Sequence, residues 1–431
     1  MLSRLVGFGL PLRLALLPIL LSTVPIVSAD LPLAKPEEVG MSSKRLGRIN
    51  EAMSAYVENE QIAGAVTLVA RRGRVVHLEK FGMRDIESNA EMSEDTIFFI
   101  ASMTKPIVSV ALMMLYEEGH FRLADPISAF LPEFKDMTVK QNDRPAAPAS
   151  DPITFKHVLT HTAGFDRNRV LEKVAGPMGQ QRRTGAPGRT LEEYVRSIAT
   201  VPLEVRPGEK WRYGASTDVV ARLVEVISGQ PIDEFLSERI FRPLGMEDTF
   251  YFVPRSKATR RATRYSTDGG KSLTPTPGTA YREAPPRSRR YLSGVGGLYS
   301  TAADYFRFCQ MNLNGGEYGG VRILSPKTVQ LMTADHTGDL GTDQFRLWGH
   351  GFGLGYRVVR NIADSALVGS VGSYGWNGRV GTYFFIDPQE ELIGILMTQI
   401  SPYRHLKIRR QFQILATTAI EEAFQADTSV R

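Results

Sequence analysis

Hydrophobic positions follow two different periods along the chain, and the change of period marks its organisation. Behind Ser42 and Ser43, the residues Leu46, Ile49, Met53 and Tyr56 recur at helical spacing, which predicts a serine-capped helix with one apolar face. Near-continuous apolar runs at 65–70 and 75–81 flank Arg71-Arg72-Gly73-Arg74 and predict a hairpin, with glycine where positive φ costs least. The far end repeats the pattern: runs at 381–387 and 392–399 flank Pro388-Gln389-Glu390 and predict a second hairpin. A helix over about 405–424 follows, carrying Ile408, Phe412, Ile414, Leu415 and Ile420. Between roughly 120 and 290 strand signals thin out. Helical stretches at 190–198 and 218–227 take their place, and Pro, Gly and Arg gather at 175–189 and 267–290 as surface loops. No internal repeat is visible. The pattern predicts a sheet domain built from both chain ends, 30–120 and 290–431, with a helical domain inserted over 121–289.

The first residues follow a different logic. Arg4 and Arg13, an apolar run over 14–27 broken by Pro18 and Pro25, and Val27-Ser28-Ala29 ahead of Asp30 predict a signal peptide over 1–29, cleaved near Ala29. The run falls short of the roughly 20 apolar residues that a membrane span needs. No cysteine follows it to carry a lipid, so the expectation is an exported protein, periplasmic or secreted, without a stable membrane anchor. Removing Arg4 and Arg13 lowers the formal charge from +6 to +4, too little to argue for nucleic acid, and the basic stretch 282–290 reads as solvated loop. With 42% hydrophobic and 23% charged positions the chain can bury a core. Cys309 stands alone, which excludes an internal disulfide or a multi-cysteine metal site. None of the seven histidines forms H-E-x-x-H, so no metal is expected.

Candidate chemistry begins at Ser102-Met103-Thr104-Lys105, an S-x-x-K motif opening a segment, 107–115, that is apolar on every side of a helix and therefore buried. Lys105 lies one turn from Ser102 on the same face. A serine hydroxyl is a poor nucleophile until a base takes its proton. An amine serves as that base at neutral pH only when desolvation or a nearby cation lowers its pKa from about 10.4. The same residues also suit a helix cap beside an exposed lysine, but the following helix offers no solvent face to receive that lysine. Tyr213, after Pro207-Gly208-Glu209-Lys210-Trp211-Arg212, is either a proton relay or a core tyrosine. The glycine-rich Gly375-Trp376-Asn377-Gly378-Arg379-Val380-Gly381 is either a close backbone approach to a ligand or a plain turn.

These elements in this order resemble the penicillin-recognising serine hydrolases, in particular the class C β-lactamase-like branch and its family VIII carboxylesterases. The resemblance spans about 40–420 and includes Ile153-Thr154-Phe155-Lys156-His157-Val158-Leu159-Thr160-His161-Thr162-Ala163-Gly164, Ile240 to Met246, Gly294 to Thr301 and Gly381-Thr382-Tyr383. It implies an α+β fold, an antiparallel β-sheet flanked by helices with an inserted all-α domain, of the β-lactamase/transpeptidase-like kind, with the site in the cleft between them. It also implies Ser102 as nucleophile, Lys105 as its proton acceptor, Tyr213 as second acid/base group, and the backbone N–H groups of Ser102 and Arg379 as the oxyanion hole. No cofactor is implied.

Two departures from the family pattern bear on the substrate. Lactamases of the family read Tyr-x-Asn at the second element, where this chain has Tyr213-Gly214-Ala215. Their third motif reads Lys-Thr-Gly, where this chain has Trp376-Asn377-Gly378. An indole in place of a cation favours an uncharged apolar group, and tryptophan here is similar to the family VIII esterase pattern. Arg379 or a loop arginine is left as a means of restoring a carboxylate contact, and with it a weak β-lactamase side activity. The expectation is a carboxylesterase acting on a small-molecule ester through an acyl-enzyme on Ser102, bound by Trp376, Asn377 and Gly378. A β-lactamase or D-Ala-D-Ala peptidase-like enzyme is the alternative, and a silent binding protein lacking the asparagine at 215 is the third reading. The α/β-hydrolase pentapeptide G-x-S-x-G is absent, and Ser373 reads as a turn residue. His157 and His161 read as structural, and the loops 165–190 and 267–292 as the determinants of substrate choice.

Overall fold

The computed structural model describes residues 30–422 apart from 143, 171, 173–189, 269–271, 278, 282, 339 and 341–347, so the leader reading for 1–29 and most of the first substrate loop lie outside the described residues. Its main sheet comprises β1 (Gly64–Arg71), β2 (Arg74–Asp85), β3 (Ala90–Glu91), β4 (His350–Phe352), β5 (Arg357–Val359), β6 (Tyr374–Asn377), β7 (Tyr383–Asp387) and β8 (Leu392–Thr398). The order is β4-β5-β6-β7-β8-β1-β2-β3, and every neighbouring pair is antiparallel. The last strands of the chain thus meet the first at the centre, where Val66 opposes Met397 and Leu68 opposes Ile395.

Every residue of β1 and β8 is buried because both faces of the sheet are covered, which is why these strands read as unbroken apolar runs. Alternation along β1 decides the destination of each side chain. Ala65 and Val69 face α1 (Ser43–Glu58), whereas Val66, Leu68 and Ala70 face the core built on α2 (Thr104–Glu117). The first hairpin is tighter than the apolar pattern suggests. Arg71 pairs with Arg74, leaving only Arg72 and Gly73, both at positive φ (52° and 72°), as the two-residue turn that matches strand twist.

The central part of the chain contributes α3 (Phe155–Leu159), α4 (Leu191–Ala199) and α5 (Ser216–Ser228), and carries two short hairpins besides, Thr138–Gln141 with Arg144–Pro148 and Tyr265–Thr267 with Leu273–Pro275. Thr190 caps α4 through a reciprocal box with Glu193, so it precedes the helix rather than opening it. α2 packs against α5, shares one core with Val66, Leu68 and Ala70 of β1, and has no solvent face from Thr104 to Leu115. α6 (Ala302–Leu313) packs on β8 beside it, and α7 (Ile408–Thr417) covers the opposite face with α1. The final helix is shorter than the expected 405–424. Lys407 caps it, and beyond Thr417 the chain turns to donate from Glu421 and Glu422 to the carbonyl of Gly40, tying its end to the segment before α1.

Candidate active site

Ser102 sits in a single tight turn, Ala101–Met103, that runs into α2. Ala101 holds φ at +47°, a conformation that costs a residue with a Cβ roughly 1–3 kcal/mol and persists only where its surroundings enforce it. Two glycine-rich segments enforce it from opposite sides. A Cβ on Gly296 would stand 3.1 Å from the Ala101 carbonyl carbon, and one on Gly378 would stand 2.6 Å from the Ile100 oxygen and 2.1 Å from Thr382 Oγ1. Glycine at both positions lets main chain close on the residue before Ser102. Ile100 N donates to Leu298 O at 3.0 Å and Thr382 Oγ1 donates to Ile100 O at 3.3 Å, which completes the clamp.

Lys105, one helical turn on, is 1% exposed, and its Nζ donates to Ser102 Oγ at 3.1 Å and to Val295 O at 2.7 Å. Burial pulls the ammonium pKa below the ordinary 10.5, while Tyr213 and Asp218 oppose that pull. The amine lies 4.6 Å from the centre of the Tyr213 ring. On the far side of that tyrosine Trp376 Nε1 donates to Tyr213 Oη at 3.3 Å. Trp211 stacks 5.9 Å from Tyr213, His161 packs 4.8 Å from it, and Phe352 meets Trp376 edge-on at 5.2 Å. Ser102, Lys105, Tyr213 and Trp376 are therefore brought together.

The remaining residues singled out in the sequence divide. Trp376, Asn377 and Arg379 line the same cavity as Ser102, of about 1780 Å³. Gly378 does not line it; its place is against Ile100 and Ala101, where it carries the end of β6 up to the serine. Ala215 also lines the cavity, where the family's asparagine is missing. His157 is part of the cap of α3, exchanging bonds with Thr154. His161 is buried, and burial together with the Lys105 charge holds its pKa well below 6.5, so it is a neutral wall of the tyrosine pocket. Ser373 Oγ donates to Ser370 O in a turn. Cys309 is buried and unbridged.

Two contributors were not legible in the sequence. Asp218, in the first turn of α5, is fully buried and accepts from Tyr291 Oη (3.0 Å), Ser293 Oγ (3.0 Å) and Val295 N (3.2 Å). It holds the backbone N–H of Val295, and Lys105 holds the carbonyl of the same residue. Burial raises the Asp218 pKa, while those donors and Lys105 lower it. Acidic residues are common in a first helical turn, so nothing in the sequence distinguishes this one. Arg409 of α7 donates from Nε to Gly381 O at 3.2 Å and from Nη2 to Gly378 O, bracing the turn that carries Arg379.

Residues 49–418 match the family model described as Beta-lactamase. The chain is 34% identical over 357 residues to Protein Rv1367c of Mycobacterium tuberculosis (strain ATCC 25618 / H37Rv), covering 79% of this chain and 86% of that one. It is 29% identical over 370 residues to Esterase EstB of Burkholderia gladioli, covering 81% and 89%. Among solved structures it superposes on EstCE1, described as a hydrolase with promiscuous acyltransferase activity, with a TM-score of 0.69, 27% identity and coverage of 88% and 99%.

Proposed function

The chain belongs to the β-lactamase family of serine hydrolases, and from that premise we propose that it is an exported carboxylesterase working through an acyl-enzyme on Ser102. Ser102 Oγ attacks the ester carbonyl as Lys105 Nζ accepts its proton. Desolvation of the amine favours its neutral, proton-accepting form. The proton reaches the departing alcohol through Tyr213, and water then releases the acid by the reverse relay. The backbone N–H groups of Ser102 and Arg379 hold the oxyanion. The observation that carries the ester preference is Trp376: where a lysine would face a substrate carboxylate, an indole is engaged with the tyrosine hydroxyl. A buried aromatic wall suits an uncharged acyl or alcohol group beside the reacting carbon. Similarity to a relative named as an esterase supports the same reading.

The test compares an aryl ester with a cephalosporin on the same preparation. Ester turnover exceeding lactam turnover by orders of magnitude is expected, and the reverse would replace this reading with the lactamase or peptidase alternative. Export is tested by the N-terminal mass of the protein recovered outside the cytoplasm, expected to begin at Asp30.

A further inference from the structure

The cavity that holds Ser102 is strongly cationic. Eight arginines and one lysine line it against only Asp218, Glu283 and Asp364, a formal surplus equal to the +6 of the whole chain. Two of the three acids do little to offset it. Asp218 is buried under three donors, and Glu283 pairs with Arg255. Most of the charge lies away from the apolar pocket of Trp376 and Tyr213, on a wall that continues past Asn377 to β5 and α7.

Two arginines of that wall are held in place yet lack a counter-ion. Arg357 on β5 donates to Tyr383 Oη at 3.1 Å, and that hydroxyl donates onward to Gln413 of α7. Arg409 stacks 3.6 Å over the Tyr403 ring and donates to the carbonyls of Gly378 and Gly381. Neither is ion-paired among the described residues. The Arg409 guanidinium lies within the influence of Arg357: burial and then, among weaker influences, the charge of Arg357 pull it down to about 10, against the pull of Tyr403 and Tyr383. Partly buried guanidinium groups of like charge lining one cavity are a costly arrangement that an anion relieves, and their planar forks match a carboxylate in two-point contact.

Building on the esterase reading, we propose that the substrate is a carboxylate-bearing ester, its scissile bond in the apolar pocket at Ser102 and its carboxylate on the Arg357–Arg409 wall. The cation that the third motif lacks at position 376 is thereby supplied farther along the same cavity.

The experiment measures kcat/KM on p-nitrophenyl butyrate, on the p-nitrophenyl monoesters of adipate, pimelate and suberate beside chain-matched neutral esters, and on the butyryl ester of p-hydroxybenzoate beside phenyl butyrate. At least one carboxylate ester is expected to exceed its neutral match by tenfold or more. The advantage should shrink as ionic strength rises, and Arg357→Gln should lower the charged-to-neutral ratio by about tenfold. The first series winning places the carboxylate on the acyl side, and the hydroxybenzoate ester winning places it on the alcohol side. Neutral esters matching or beating every charged one, in wild type at low salt, overturns the anion subsite and leaves the esterase reading intact. Failure of all esters, neutral ones included, overturns both. The salt series on wild type needs no variant, so it decides the matter even should Arg357→Gln fail to fold.

Discussion

In the proposed mechanism Lys105 carries the chemistry at the scale of a single residue, since its amine is in hydrogen-bond reach of Ser102 Oγ and it is held almost wholly out of water. Only the neutral amine accepts a proton, so ester hydrolysis should rise with pH through an apparent pKa below the 10.5 of an ordinary lysine. A limb centred at or above that value in the kcat/KM profile would contradict the assignment. The linked stability has a definite sign. The folded-state pKa is depressed, the unfolded chain binds the proton more tightly, and this group's contribution to stability therefore grows as pH rises from the folded value towards 10.5. Ser102→Ala should lower kcat by roughly 10³ or more and abolish labelling by a fluorophosphonate, read by mass spectrometry, with the fold unchanged.

Elements matter because the serine is positioned by segments distant in sequence. Gly378→Ala forces a methyl group against Ile100 O and Thr382 Oγ1, so the end of β6 must withdraw from Ala101 and take the Arg379 N–H with it. The expected result is a fall in kcat of about 10²–10³, the size of losing one oxyanion donor, with KM changed much less. Asp218→Ala should instead act on stability. It strands the donors of Tyr291, Ser293 and Val295 and loosens the carbonyl that holds Lys105, a loss of about 2–4 kcal/mol measurable by urea unfolding. The contrast shows what sequence reading reaches. The hairpins, α2 and the S-x-x-K pair were legible because their signals are local: unbroken apolar runs, a helix without a polar face, a spacing of one turn. Asp218 and Arg409 were not, since their partners lie 73 to 77 and 28 to 31 positions away and neither residue breaks the pattern around it. Gly378 was legible as a residue permitting close approach but was assigned to the substrate, whereas what approaches it is the main chain before Ser102.

On the scale of the molecule, the sheet must join two halves of the chain separated by more than 250 residues, and apolar contact alone does not fix how the ends close. Arg71, at the end of β1, supplies that closure. Its side chain is wholly buried and bonds Val39 O and Gly40 O before α1, Glu390 in the β7–β8 turn at 2.7 Å, and Glu422 O after α7. Burial lowers the guanidinium pKa and Glu390 raises it, so the ion pair offsets part of its own desolvation. Arg71→Met keeps the aliphatic stem but removes the side-chain donor from Val39 O, Glu390 O and Glu422 O and leaves the Glu390 carboxylate without its cation, which should cost about 3–5 kcal/mol. Because Arg71 does not line the cavity that holds Ser102, kcat on the aryl ester at low temperature should stay near that of wild type. Lowered stability with retained kcat, seen by thermal unfolding beside steady-state assay, would show that closure of the sheet and assembly of the site are separable. A parallel loss of kcat would mean that the strain at Ala101 is held in place from as far away as the meeting point of the two chain ends.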